Sequence, residues 1–163
     1  MFIGEWYHTI DSKGRITVPS RLRDLLPDGG YLTRGFDRNL MLYRRKDFER
    51  LTTRVQQLTS TKPENRQLFR HLFSGAVTAQ FDKIGRVMVP PYLRDYARLS
   101  GEVTLAGAGN YLEIWSAAEW AASAEQRANS EMNGQQFALI DLAFTSAGGA
   151  NESAPDIGPA SRA

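Results

Sequence analysis

The sequence predicts a mixed α+β, β-rich fold in which two homologous halves close one β-barrel core about a pseudo-two-fold axis, with helices on the flanks. Three observations lead there. The run Thr9-Ile10-Asp11-Ser12-Lys13-Gly14-Arg15-Ile16-Thr17-Val18-Pro19, followed by Leu22-Arg23-Asp24, returns 71 positions later as Gln80-Phe81-Asp82-Lys83-Ile84-Gly85-Arg86-Val87-Met88-Val89-Pro90, followed by Leu93-Arg94-Asp95. An ungapped match of this kind marks an internal duplication. Each copy also carries the punctuation of a strand, a tight turn, a returning strand and a short helix. Finally, a unit of roughly 50 residues buries too little apolar surface to stand alone. Two units that interleave strands would complete one core and cover each other's edges.

The elements follow in order. Asp11 and Gly14 hold the first and fourth positions of a tight turn, where Asp bonds the backbone two residues on and Gly accepts positive φ. This is a hairpin tip closed by a type I turn and bulge. Arg15-Ile16-Thr17-Val18 returns as a strand, and Pro19 is expected in the first turn of a helix, where its missing N–H does no harm. Leu22, Leu25 and Leu26 give that helix an apolar face, and Pro27-Asp28-Gly29-Gly30 stops it. The second copy repeats this with Leu93, Tyr96 and Ala97 and ends near Ser100-Gly101. Beyond it, with a one-residue shift, Gly35, Leu40, Leu42, Tyr43 and Phe48 align with Gly107, Leu112, Ile114, Trp115 and Trp120. Each unit therefore continues with two strands and a closing helix, expected near Lys46 to Leu58 in copy one. In copy two, Ser116 and Glu119 have the spacing of a capping box. A connecting helix is expected from Pro63 to Phe73, with Leu68, Phe69, Leu72 and Phe73 as its apolar stripe.

Composition narrows the function classes. The chain contains no cysteine, so disulfides and thiolate metal sites are excluded. No apolar run is long enough for a bilayer, and Met1-Phe2-Ile3-Gly4-Glu5-Trp6 lacks the regions of a signal peptide. The net charge of +2 is unevenly spread. Residues 1–75 hold 14 Lys/Arg against 8 Asp/Glu, whereas residues 76–163 hold 6 against 10. A polyanion would be attracted chiefly by the first half.

The doubled Asp-x-x-Gly-Arg hairpin with Pro four residues after the Arg, the opening Met1-Phe2-Ile3-Gly4-Glu5, and Leu112-Glu113-Ile114-Trp115 resemble the MraZ family of bacterial regulators, built from two SpoVT-AbrB-type swapped-hairpin domains. The resemblance covers about residues 1–146. It implies AbrB-like domains at 1–60 and 76–146, the second including C-terminal helices, joined by a linker helix at 61–75. It further implies a DNA-binding transcription regulator acting on repeated boxes upstream of its own gene, at the head of the division and cell-wall gene cluster. The implied partners are double-stranded promoter DNA and other copies of the chain in a ring-shaped homo-oligomer, in the cytoplasm and associated with the nucleoid. No cofactor, metal, membrane or small-molecule substrate is expected.

Two readings of the duplicated tips stand side by side. Asp11 with Arg15, and Asp82 with Arg86, would pair across their own turns to hold the hairpins. Alternatively, a two-stranded ribbon enters a major groove and its arginines meet guanine O6 and N7. The resemblance implies the second, with Arg15 and Arg86 at the DNA, Lys13 and Lys83 beside them, and Asp11, Gly14, Asp82 and Gly85 shaping the turns. Copy two departs from copy one by placing its lysine directly after the Asp and the apolar Ile84 before the Gly.

Other residues carry weaker signals. Arg34, Arg38, Arg44, Arg45 and Lys46 either track phosphates or, for the Arg44-Arg45-Lys46 run, form a solvated helix start. His8 and His71 lack companions for a metal site, and the Trp and Phe positions read as core. The sequence holds no nucleophile elbow, Walker loop, zinc motif or dinucleotide fingerprint, so no catalytic residues are expected. A ring-forming scaffold without sequence-specific DNA binding is the alternative class. Residues 147–163 are small, polar and aperiodic, and are expected to be a disordered tail.

Overall fold

The computed structural model describes residues 1–138. The expected tail over 147–163 and the end of the second expected domain, up to 146, lie outside the described residues. Residues 1–124 form one compact unit, and a second begins at Glu125.

The first repeat contributes β1 (Glu5–Ile10), β2 (Arg15–Thr17), α1 (Ser20–Arg23), β3 (Gly30–Arg34), β4 (Leu40–Arg44) and α2 (Arg45–Gln56). After α3 (Pro63–Phe73), the second repeat contributes β5 (Val77–Ala79), β6 (Arg86–Met88), α4 (Pro91–Tyr96), β7 (Gly101–Gly107), β8 (Tyr111–Ser116) and α5 (Ala117–Ala122). Among the described residues the strands form one antiparallel sheet in the order β5-β3-β4-β8-β7-β1-β2-β6. The halves are thus interleaved: β1 pairs with β7, β2 with β6, β3 with β5 and β4 with β8. A single bridge between Phe81, two residues past β5, and Val87 of β6 leaves the sheet a nearly closed barrel. It is the 71-residue counterpart of the Ile10–Ile16 pair between β1 and β2.

The pseudo-two-fold is legible in the register. At the β2–β6 crossing Ile16 faces Val87, flanked by Arg15 opposite Met88 and Thr17 opposite Arg86. Exchanging the repeats maps this ladder onto itself. At the β4–β8 crossing Met41 faces Glu113, with Leu40 opposite Ile114 and Leu42 opposite Leu112, again self-mapping under the 72-residue shift. Strand alternation sends one set of side chains inward. Ile16, Val87, Leu32, Leu40, Leu42, Leu105, Leu112 and Ile114 are fully buried there, each contributing about 1.5–3 kcal/mol of burial.

A second apolar cluster covers the outer face of the β4 side. Met41, Tyr43, Phe48, Val55 and Leu72 form it, with Leu68, Phe69 and Phe73 of α3 packed alongside. Helix α3 begins at Pro63 in the position where a proline costs nothing, and Thr33 Oγ1 donates to Leu72 O at 2.6 Å. Beyond α5, α6 (Ala124–Ala128) leads to α7 (Ser130–Ala138), where Asn129 Oδ1 accepts from Met132 N at 2.9 Å.

Four local expectations are corrected. Pro19 is the residue before α1, with extended ψ 142°, because the chain is still extended two residues past the end of β2; the first-turn position is taken in copy two by Pro91 instead. Helix α1 ends at Arg23, and Leu25 and Leu26 follow it on tight turns, their amides donating to Leu22 O and Arg23 O. Ser116 Oγ accepts from Glu119 N at 3.2 Å, but the Glu119 carboxylate turns to Arg98 at 2.9 Å, so half of the capping box forms. Phe36 is 65% exposed and stacks on His71 rather than joining the core.

Candidate nucleic-acid interface

The two crossings of the barrel differ in what covers them. At β4–β8 the outer face carries Met41, buried in the cluster with Phe48 of α2 and Leu72 of α3. At β2–β6, Ile16 and Val87 point inward, so alternation turns Arg15, Thr17, Arg86 and Met88 outward. Thr17 and Met88 are exposed, the latter by 52%. Arg15 and Arg86 stand diagonally across this ribbon, about 7–8 Å apart by the geometry of such a pair, with the pseudo-axis between them.

Each arginine begins its strand immediately after a hairpin tip. At the first tip Asp11 O accepts from Gly14 N at 2.9 Å, and Asp11 N donates to Arg15 O at 3.0 Å. Asp11 Oδ1 takes both Lys13 N and Arg15 N at 2.9 Å. The second tip repeats the pattern: Gly85 N to Asp82 O at 3.0 Å, Ile84 N to Asp82 Oδ1 at 3.1 Å, and Arg86 N to Asp82 Oδ1 at 2.9 Å. Gly14 and Gly85 adopt φ of +80° and +83°, where a side chain is strained. Asp11, Gly14, Asp82 and Gly85 therefore share one backbone solution, and Lys13 and Lys83 are exposed on the tips.

The aspartates also hold the arginine side chains. Arg15 lays Nε and Nη2 on Asp11 Oδ2, each at 2.7 Å, and Arg86 Nε lies 2.7 Å from Asp82 Oδ2. The Arg15 side chain and then the Arg15 amide hold the Asp11 carboxyl down at about 2. Asp82 is likewise lowered, there by the Arg86 amide first. The pairing across each turn thus exists, and it does not exhaust the guanidinium. A carboxylate on the Nε side leaves the end-on edge, including Nη1, for another acceptor pair. Both arginine side chains remain 26% exposed.

Each tip is docked against the other repeat. Gly14 O accepts from Val89 N at 2.8 Å, and Gly85 O accepts from Val18 N at 2.9 Å. Behind the glycines lie the arginines of the opposite short helices, Arg94 against Gly14 and Arg23 against Gly85. Sequence reasoning singled out neither arginine, nor the outward Thr17 and Met88. The available signal was that Arg23 and Arg94 recur within the repeat.

Three of the five secondary basic residues are engaged elsewhere. Arg44 Nε donates to Asp47 Oδ2, Arg45 Nε donates to Asp28 O at 2.7 Å, and Arg34 lies over the Tyr92 and Tyr96 rings. His71 Nε2 bonds Gly35 O at 2.8 Å. Among the described residues no group of three or more His, Asp or Glu could hold a metal ion, and no helix is long and apolar enough to cross a membrane.

Comparison with known proteins adds a family. The model of the MraZ protein family, antitoxin-like in its description, matches residues 1–71 and again residues 72–140. The transcriptional regulator MraZ of Roseiflexus castenholzii is 46% identical over 120 residues, covering 74% of this chain and 84% of the relative. Its namesakes in Herpetosiphon aurantiacus and Dictyoglomus thermophilum are 43% and 42% identical over 120 residues, covering 74% of this chain and 84% and 82% of the relatives.

Proposed function

The chain belongs to the MraZ family, and we propose that it is a DNA-binding transcription regulator whose β2–β6 ribbon enters the major groove of repeated boxes upstream of its own gene. One observation supports this reading above the others: Arg15 and Arg86 stand as a related pair on the exposed outer face of a two-stranded ribbon. A two-stranded ribbon fits a major groove about 12 Å wide. Strand positions about 7–8 Å apart match about two base steps of ~3.4 Å, which lets each arginine address its own base pair. Guanine is the matching partner, because O6 and N7 suit the guanidinium edge left over from the aspartate. Asp11 and Asp82 hold that edge in a fixed orientation before binding, which spares the ordering of a long side chain. Lys13 and Lys83, on the tips, meet flanking phosphates.

The chain works as a ring of several copies, so that repeated boxes are held together and weak single contacts add through effective concentration. Pairing two homologous halves within one chain leaves lateral surfaces that can repeat head to tail, and such contacts close into a ring when the rotation permits. In the cell this regulator acts in the cytoplasm at the nucleoid and controls the division and cell-wall gene cluster.

Fluorescence anisotropy with the DNA upstream of the gene, against a shuffled sequence of equal length and at stated salt, tests the reading. Tighter binding of the upstream DNA, with a mass by light scattering several times 18.2 kDa, is expected. Equal binding of both sequences would leave the ring-forming scaffold as the better account.

A further inference from the structure

We propose that Arg23 and Arg94 are positioning residues that set the reading heads crosswise: Arg94 of the second repeat fixes the tip carrying Arg15, and Arg23 of the first repeat fixes the tip carrying Arg86. The proposal rests on the ribbon reading of DNA given above. It starts from contact geometry. A Cβ placed on Gly14 would come within 2.8 Å of Arg94 Cζ and Nε, and one placed on Gly85 within 2.6 Å of Arg23 Cζ and Nε. Each guanidinium therefore occupies the space beside a tip glycine that a side chain would otherwise fill.

The shape of the group matters here. A guanidinium is a flat, delocalised plate and can lie against a glycine at this range, whereas an ammonium is a compact, strongly hydrated point charge on a flexible stem. The plates also sit next to the strand ends that receive the tips. Arg23 Nε donates to Val18 O at 3.0 Å, and Val18 N in turn donates to Gly85 O at 2.9 Å. One residue thus links the α1 arginine to the tip of the other repeat. On the opposite side Val89 N donates to Gly14 O at 2.8 Å, but Arg94 Nε has no hydrogen-bond partner among the described residues. Arg94 holds by shape alone, and Arg23 by shape and a bond.

From Gly14 to Arg15, and from Gly85 to Arg86, is one residue. A shift of the glycine therefore moves the reading arginine directly, together with the aspartate that orients it. Arg23 and Arg94 touch no base in this scheme; they act through the tip. The functional coupling must then cross between repeats, which a residue serving only general stability does not produce.

Double-mutant cycles on full-length protein test this, with affinity for the upstream boxes and for boxes changed at single guanines as readouts, and with melting temperature and light-scattering mass as controls. Arg94→Lys and Arg23→Lys are the variants, since they keep charge and stem and lose the plate. Each is expected to weaken binding on the order of tenfold and to relax preference at one guanine. Arg94→Lys should be non-additive with Arg15→Ala and additive with Arg86→Ala, and Arg23→Lys the reverse. Undiminished affinity in the lysine variants would overturn the proposal, because a cation meeting a phosphate would explain the residue better. Additivity with both reading arginines, or loss of folding in both lysine variants, would overturn it too. Should Arg15→Ala and Arg86→Ala themselves leave binding unchanged, the ribbon reading fails first, and that result is distinguishable from the others.

Discussion

The two hairpin tips share a backbone and differ in their chemistry. Both close Asp to Gly, both lay an arginine on the aspartate, and both dock a glycine carbonyl on the opposite strand end. At the two positions between Asp and Gly, the first tip presents Ser12 and Lys13, and the second Lys83 and Ile84, the isoleucine 65% exposed. Behind them, Arg23 is bonded through Nε and Arg94 is not. The difference teaches that the duplicated residues set where the two arginines stand, and the unduplicated ones set the chemistry that each tip presents around them.

Substitution of the tip glycines should give the largest effect and should separate the tips. Alanine at either position pays about 1–2 kcal/mol for positive φ. At Gly14 its Cβ also meets Val89 O at 2.9 Å, whereas at Gly85 the close atoms all belong to the Arg23 side chain. Backbone yields less readily than a side chain, so Gly14→Ala should cost about 1–3 kcal/mol more through overpacking. Chemical denaturation checks the ranking; equal losses would show that the two dockings are equivalent.

Next come the arginines. Arg15→Ala and Arg86→Ala should each lose about 1–3 kcal/mol of binding per contacted site, with preference relaxed at different base pairs. Lys13→Ala should instead weaken all DNA evenly and flatten the salt dependence. Titrations at several salt concentrations distinguish the two patterns, and a flattened slope for Arg15→Ala with intact preference would exchange the roles.

A smaller effect is expected at Ile84. An exposed apolar tip side chain suits the thymine methyl group, so Ile84→Lys should reduce discrimination between thymine and uracil in the box while raising non-specific binding. No change in that discrimination would make Ile84 a spectator.

The smallest effect is in titration. Asp11 is held at about 2 first by the Arg15 side chain, and Asp82 is lowered first by the Arg86 amide. A lowered carboxyl contributes stability that is complete above its ordinary value of 3.8 and is lost as pH falls through about 2. Neutral pH should therefore leave the Asp11–Arg15 pair intact. Arg15→Ala should return Asp11 much of the way to its ordinary value, whereas Arg86→Ala should move Asp82 less, because the amide remains. Carboxyl-carbon NMR would read both shifts, and equal movement would contradict the stated causes.

Much of this was legible in the residues, and the illegible parts share a cause. Asp11, Gly14 and Arg15 interact within five residues, so their turn could be read locally, as could α3 from Pro63 and its apolar stripe. Interleaving followed from the duplication and the small unit, because neither half alone covers its edges. What stayed hidden lies across the pseudo-axis. Arg94 touches Gly14 from 80 positions away, and nothing near Arg94 announces it beyond its place in the repeat. Pro19 and the short α1 depart from expectation because the chain stays extended through Pro19 and makes only one helical turn before Leu25 and Leu26. Phe36 reads as core by type, but the β3–β4 loop carries it outside, onto His71.

The most direct test of the reading heads replaces single guanines of the upstream boxes by 7-deazaguanine, which removes only the N7 acceptor. Affinity is then measured for the unaltered protein, Arg15→Ala and Arg86→Ala. The account predicts at least one guanine at which the analogue weakens the unaltered protein and has no further effect on Arg15→Ala, and a different guanine that behaves so toward Arg86→Ala. If the analogue weakened the unaltered protein and both variants equally at every guanine, or weakened none of them, Arg15 and Arg86 would not be reading DNA from the ribbon.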